Sequence, residues 1–220
     1  MKTEKQKDIF LKSEGDNWFR RNKSVLDGTS IKEDIVLKEI LPLVDECLKN
    51  KEVKEKSKYS IFEIGCGNGV RLKELSDLGY AVTGIDPSAE AIKDAKGRGL
   101  DAFLGTADEL SFPDNKFDMV IFGFCLYLCD RDDLFKIAAE ANRVLKHPGY
   151  LVIYDFYSKN AFSNNYHHLE GIKSYKMDYT RCFDWHPDYM LVKHTLGSEE
   201  GFKPTDNKNE LLTVSVLRKV

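Results

Sequence analysis

A chain of 220 residues with 42% hydrophobic side chains has the material for one α/β domain with a modest extension. A net charge of −3 lacks the basic excess of a nucleic-acid binder, and no apolar run approaches the ~18 residues that a membrane span needs. The first residues, MKTEKQKDIFLKSEGDNWF, have no signal-peptide core, so a cytoplasmic protein is expected.

Residues 1–58 are expected to form an N-terminal helical extension, or lid, of the same domain that residues 59–220 build. The leader is polar but carries an aromatic and basic knot, Trp18-Phe19-Arg20-Arg21-Asn22. Residues 31–49 predict a helix with Ile35, Ile40, Val44 and Leu48 near one stripe, and Pro42 should kink it. The lysine-rich stretch 49–58 predicts a solvated helix end and linker.

From residue 59 the pattern becomes strand, loop, helix, repeated. Strands are expected at 59–64, 81–85, 102–104, 117–122 and 150–154. Helices are expected at 70–78, at 88–96 capped by Ser88, and from Asp130 to Leu145. The run 117–122 is apolar on both faces, as a central parallel strand should be. The β-rich segments 189–195 and 211–217 suggest an antiparallel pair added at one sheet edge. The fold expected is therefore α/β, a Rossmann-like, mostly parallel sheet with an antiparallel terminal pair. Cys47, Cys66, Cys125, Cys129 and Cys182 make no C-x-x-C pair and no zinc spacing, so reduced thiols and no metal are expected.

The segment Glu63-Ile64-Gly65-Cys66-Gly67-Asn68-Gly69 follows a strand and opens a helix. Glycines there let the chain turn sharply and let a ligand approach, with helix N–H groups free to bind it. Position 70 is Val, so the third glycine comes too early for a dinucleotide fingerprint, and no Lys-Ser/Thr follows as in a P-loop. Glu63 suits a positive ligand group rather than a pyrophosphate. Asp86 ends the second strand, where a carboxylate can accept hydrogen bonds from a ribose diol. Thr106-Ala107-Asp108 follows the third strand, and Asp118, in the fourth, is expected to stabilise its own loop.

Those residues, in that order, resemble the class I S-adenosylmethionine (SAM)-dependent methyltransferases, with their E/D-x-G-x-G-x-G loop and acidic second-strand end. Leu145-Lys146-His147-Pro148-Gly149-Tyr150 is similar to the family's L-K-P-G-G turn, with a His inserted and a Gly replaced. The resemblance covers residues 59–155 and implies a seven-stranded sheet with SAM as cofactor and S-adenosylhomocysteine (SAH) as product. It implies that Gly65 and Gly67 line the methionine portion, that Glu63 meets its ammonium group, and that Asp86 holds the ribose. It also implies that Ala107 and Asp108 sit at the adenine edge.

The fourth strand ends in Gly123-Phe124-Cys125-Leu126-Tyr127, not in the N/D-P-P-Y/F element of family members that methylate base or glutamine nitrogens. A small-molecule acceptor is expected instead. Phe124 is a candidate at the sulfonium. Of the chain's 25 aromatic residues, ten lie between 154 and 189, interleaved with His, Asn, Lys and Asp. An acceptor-binding insertion is expected at about 156–188, with Tyr127, Tyr157, Tyr175, Lys176, Asp178 and Tyr179 as acceptor contacts. Ser174-Tyr175-Lys176-Met177-Asp178-Tyr179, with the Trp18–Asn22 knot, looks like a bacterial subgroup serving surface-glycan and related small-molecule pathways. A sugar-like hydroxyl acceptor follows, with His167 or His168 as base and Asp155 or Asp178 as alternatives. Trp18, Arg21 and Asn22 are expected to close the leader over the cofactor. Nitrogen or carboxyl methylation, a SAM-binding protein without turnover, and a nicotinamide oxidoreductase remain alternatives.

Overall fold

In a computed structural model, residues 4–28, 33–49, 55–198 and 200–220 are described. The leader forms α1 (Gln6–Ile9), a π-helical turn (Phe10–Glu14) and α2 (Gly15–Gly28), followed by α3 (Ile35–Lys49). The alternating region gives β1 (Ser60–Ile64), α4 (Val70–Asp77), β2 (Ala81–Asp86), α5 (Ala89–Gly97) and β3 (Asp101–Leu104). Next come β4 (Phe117–Gly123), α6 (Leu134–Val144) and β5 (Leu145–Phe156). A short hairpin, β6 (Phe162–Asn165) with β7 (Lys173–Lys176), precedes β8 (Tyr189–Gly197) and β9 (Leu212–Lys219).

Seven strands form one sheet in the order β3-β2-β1-β4-β5-β9-β8. The first five are parallel, and β9 and β8 add antiparallel at the edge. Strand order reverses between β1 and β4, and open α/β sheets bind ligands at the carboxyl ends beside such a switch. The glycine loop leaves β1 there, and Phe124 leaves β4 there.

Burial on both faces explains the apolar strands. Phe62, Val120, Phe122 and Leu151 pack toward α6, while Ile61, Met119, Ile121 and Val152 pack toward α3. Ser88 caps α5, accepting from the Ala91 N–H at 3.0 Å, as expected. Pro42 sits inside α3, which runs on to Lys49, and it is exposed beside exposed Lys38, where water can take the carbonyl it leaves unbonded. The expected start of that helix at 31–32, and residues 50–54 of the lysine stretch, lie outside the described residues. Asp130 does not cap α6. That helix starts at Leu134, and the Asp130 carboxylate instead accepts the Gln6 and Lys7 N–H groups at 3.1 Å each, capping α1. Asp118 does not tie its own loop: from β4 it joins the two neighbouring strands, accepting from Ser60 N of β1 and Lys146 Nζ of β5 at 2.8 Å each. Among the described residues no helix is long and apolar enough to cross a membrane.

The polar leader is held by partners distant in sequence. Arg20 pairs with Glu90 and Lys23 with Asp94, both on α5. Asp16 accepts from Ser88 Oγ at 2.7 Å and Glu90 N at 2.9 Å. A Cβ on Gly15 would stand 2.8 Å from the Phe10 carbonyl oxygen and 3.1 Å from the Pro87 carbonyl carbon. Glycine is therefore required for α2 to dock on the Asp86–Ser88 turn.

Candidate functional site

The leader, the glycine loop and the strand ends enclose a cavity of about 1480 Å³. Gly65 and Gly67 line it with positive φ of 76° and 52°, and Gly69, which does not line it, also has a positive φ of 74°. A Cβ at Gly65 would lie 2.6 Å from Cys125 Cβ, whereas one at Gly67 would meet nothing within 4 Å. Gly65 is thus fixed by close packing, and Gly67 by its left-handed backbone beside open space.

Two carboxylates flank this loop. Asp86 accepts from Gly67 N and Ser88 N at 2.9 Å each. Burial pushes it up to about 6 against those two hydrogen bonds. Glu63 is buried and pairs through Oε1 with Arg71, which also donates to Asp34 at 3.0 Å. Burial raises Glu63 and the Arg71 cation opposes it. Its Oε2 is buried with no hydrogen-bond partner among the described residues. Such an orphaned acceptor costs free energy unless a donor arrives, and a ligand ammonium group would supply one.

Asp108 stands at the other side of the cavity. Its Oδ1 accepts from Thr106 Oγ1 at 2.8 Å, and its Oδ2 pairs with Lys7 and Lys136. Burial alone would raise this carboxyl, but Lys7, Thr106 and Lys136 hold it down at about 2. Lys7 brings the leader directly onto this edge. Three thiols also line the cavity, Cys66, Cys125 and Cys129. Burial pushes all three up, Cys129 to about 12.

Beyond the glycine loop the wall is aromatic. Phe124 holds a positive φ of 63°, with its N–H donating to the Tyr154 carbonyl at 2.8 Å. That conformation is costly for a bulky side chain and persists only where its surroundings fix it. It places the Phe124 ring 4.8 Å from Tyr127, 5.0 Å from Phe156 and 5.4 Å from Tyr154, centroid to centroid. The same cavity is also lined by polar groups, among them Asn164, Asn165, His167, His168, Ser174 and Asn209. Lys176 is buried, its ammonium 2.9 Å from the Phe156 centroid and donating to the Asn209 carbonyl at 2.7 Å.

The residues expected at the site divide as follows. Trp18, Asn22, Glu63, Gly65, Gly67, Asp86, Ala107, Asp108, Phe124, Tyr127, His167, His168 and Lys176 all line the cavity. Arg21 does not; it pairs with buried Glu14 and donates to the Tyr166 hydroxyl at 2.9 Å. Asp155 is not placed to act on an acceptor. It is wholly buried, and it accepts from Leu126 N at 2.7 Å, Tyr127 N at 3.4 Å and Phe156 N at 2.8 Å. Asp178 caps a turn by accepting from Thr180 N and Oγ1. Tyr157 packs edge-on against His194, 5.2 Å away, and Tyr179 is buried with its hydroxyl donating to the Tyr175 carbonyl. Tyr175 lies under the Arg131 guanidinium, 4.1 Å from its ring centre. Lys7, Gly15, Asp34 and Arg71 were not expected at the site. Only Arg71, a lone cation on the first turn after the glycine loop, carried a readable signal.

Comparison with known proteins agrees with this geometry. Residues 62–153 match a family model described as a methyltransferase domain. The demethylmenaquinone methyltransferase of Tropheryma whipplei (strain Twist) is 31% identical over 114 residues, 50% of this chain and 46% of that protein. A ubiquinone/menaquinone biosynthesis C-methyltransferase of Desulfotalea psychrophila is 37% identical over 95 residues, 41% of this chain and 38% of that protein. The chain thus spans less than half the length of these relatives. Among solved structures, the 1,6-didemethyltoxoflavin-N1-methyltransferase of Burkholderia thailandensis superposes with a TM-score of 0.67 at 15% identity. The superposition covers 97% of this chain and 88% of that one. A SAM-dependent methyltransferase of Methanosarcina mazei gives 0.61 at 21% identity, covering 81% and 97%. The switch-point sheet, the left-handed glycine loop, its two carboxylates and the matched segment all point one way: residues 62–153 match a methyltransferase domain, and the sheet around them has the fold of SAM-dependent methyltransferases.

Proposed function

We propose that the chain transfers the SAM methyl group to a small, flat, oxygen- or nitrogen-bearing ring. The observation that carries this reading is the cluster of Phe124, Tyr127, Tyr154 and Phe156 lining the cavity beside the glycine loop, with polar groups lining the same cavity. Aromatic walls take planar rings by stacking, and a few polar groups fix orientation. The similarity to a demethylmenaquinone methyltransferase, a ubiquinone/menaquinone biosynthesis C-methyltransferase and a 1,6-didemethyltoxoflavin-N1-methyltransferase supports the same class.

In this reading the unpartnered Glu63 oxygen receives the cofactor's ammonium group, Asp86 its ribose hydroxyls, and Asp108 with the Ala107 backbone its adenine edge. Bound SAM supplies an already activated methyl group. The chain's work is placement, water exclusion by Trp18 and the leader, and removal of a proton at the acceptor. His167 and His168 are titratable lining groups suited to that last task. A sugar-like hydroxyl is the second reading, favoured by the Asn and His residues among the polar lining groups.

A direct test is methyl transfer from labelled SAM to 1-hydroxy-2-naphthoate, a naphthoquinol, catechol and sugar nucleotides. Transfer to the flat rings is expected. Label appearing on sugar nucleotides alone would replace the first reading by the second. SAM binding with no transfer to any of them would favour a protein that holds SAM without turnover, and binding of a nicotinamide cofactor in its place would favour an oxidoreductase.

Asp86 makes a separate prediction. As an ionised acceptor for a diol it loses that role when protonated, so SAH affinity should be flat above about pH 7 and decline below about pH 6. The sign for the ligand-free fold is opposite. The folded value lies above the ~3.9 of an unfolded Asp, so the group's stabilising contribution is present at acid pH and lost as pH rises through about 6. Asp86→Ala should weaken SAH binding about tenfold or more and abolish the pH dependence. Calorimetry across pH reads both, and unchanged affinity in the variant would reject the assignment.

A further inference from the structure

We infer that Arg131 is a positioning residue for the acceptor: it holds the Leu126–Cys129 turn, and with it the Tyr127 wall, against the hairpin side of the cavity. The inference rests on the proposal that the acceptor lies between that wall and the β6–β7 hairpin. Arg131 itself does not line the cavity, whereas Tyr127, Leu128 and Cys129 do.

The geometry is that of a clamp closed from two sides. Arg131 Nη2 donates to the Leu126 carbonyl at 2.7 Å and to the Cys129 carbonyl at 2.9 Å, taking both ends of the turn. From the other side Asp155 accepts the Leu126 and Tyr127 N–H groups. One charged group thus takes the turn's carbonyls and the other its amides. The Arg131 guanidinium also stacks 4.1 Å above Tyr175 and stands 5.4 Å from the Tyr179 centroid, with Nη1 3.4 Å from Met177 Sδ. The Ser174–Tyr179 segment therefore reaches the acceptor wall through Arg131, and Tyr175 and Tyr179 need touch no ligand to matter.

The guanidinium bonds both carbonyls with one nitrogen while its plane lies on Tyr175 and its second nitrogen reaches Met177. Lysine keeps the charge but cannot bridge two carbonyls while lying flat on a ring. Moving a wall by about an ångström is enough to spoil placement of a reacting molecule. Charge-assisted hydrogen bonds are the strong class, so losing two of them should release the turn rather than shift it slightly.

The test uses Arg131→Lys and, as a milder variant on the surface side of the stack, Tyr175→Leu, both in the full chain. Three quantities are read: SAH affinity by calorimetry, affinity of SAH-loaded protein for 1-hydroxy-2-naphthoate, and amide exchange of Leu126, Tyr127 and Leu128. Arg131→Lys should weaken the naphthoate about tenfold or more and speed exchange in the turn by at least a similar factor. SAH affinity should stay within about threefold, because Arg131 touches none of the glycine loop, Asp86 or Asp108. Tyr175→Leu should move the same two readouts in the same direction by a smaller factor. A variant with unchanged exchange in the turn overturns the inference, as does one that loses SAH affinity and acceptor affinity in equal measure. If the unaltered protein binds SAH but not the naphthoate, the flat-ring reading falls, and the exchange measurement alone decides the role of Arg131.

Discussion

A protein lacking residues 1–28 should keep its sheet and bind SAH at least a hundredfold more weakly. None of the four buried core clusters draws on the leader, so its removal leaves both faces of the sheet covered by α3, α4, α5 and α6. The cavity, by contrast, loses Phe10, Trp18, Asn22, Val25 and Leu26 from its lining, and Asp108 loses Lys7. Fully burying one large apolar side chain is worth about 1.5–3 kcal/mol, so losing two such contacts amounts to a hundredfold or more in affinity. Calorimetry with SAH measures the loss, and a sharp thermal transition reports the retained core. Gly15→Val should approach the same result in the full-length chain, because its side chain would collide with the Phe10 and Pro87 backbone and lift α2 from the Asp86–Ser88 turn. A truncated protein with normal SAH affinity would show that the leader merely docks on the domain.

Replacing both His167 and His168 with alanine should lower turnover by about 10²–10⁴ while SAM affinity stays within about twofold. An acceptor methylated at a hydroxyl or at a ring carbon must shed a proton, and a positioned base contributes that range. Both histidines are exposed residues of the cavity lining, and the His168 ring stands edge-on 5.3 Å from Tyr166, which itself bonds Glu14 and Arg21 of the leader. The base would therefore be held by the same leader that covers the cofactor. Single variants separate the pair, and single-turnover rates at saturating SAM isolate the chemical step. Near-normal rates in both single variants and the double variant would remove histidine from the mechanism. Asp155 and Asp178 cannot then take its place, since one is buried under three N–H groups and the other caps a turn.

The central strands of the sheet were legible because they are buried on both faces. Met119, Val120, Ile121 and Phe122 leave no polar position for solvent, which marks a central parallel strand before any coordinates. The glycine loop and Asp86 were legible because backbone conformation and chemistry coincide in a few adjacent residues. A helical leader was expected, but its bounds and docking were not legible, because they rest on Asp16, Arg20 and Lys23 meeting α5 some seventy residues away. The hairpin was missed for a related reason: FSNN and KSYK are too short and too polar to show a strand period. The aromatic-rich segment misled by density. Tyr175 and Tyr179 have the composition of a ligand platform, but their ring partner is Arg131. Asp155 misled by position, since an acid at a strand end reads as a base until the fold shows how deeply it is covered.

The thiols around the glycine loop bear on what the cavity leaves unmodified. An activated methyl group reacts with any good nucleophile held nearby, and a thiolate is a better one than most acceptors. Cys66, Cys125 and Cys129 face the same space, yet burial raises all three so far that they stay protonated at neutral pH. The apolar packing that seats Gly65 against Cys125 should therefore disfavour S-methylation by bound SAM. Protein kept with excess SAM and no acceptor should retain its unmodified mass, whereas opening the wall around Cys125 should let S-methylation appear there first.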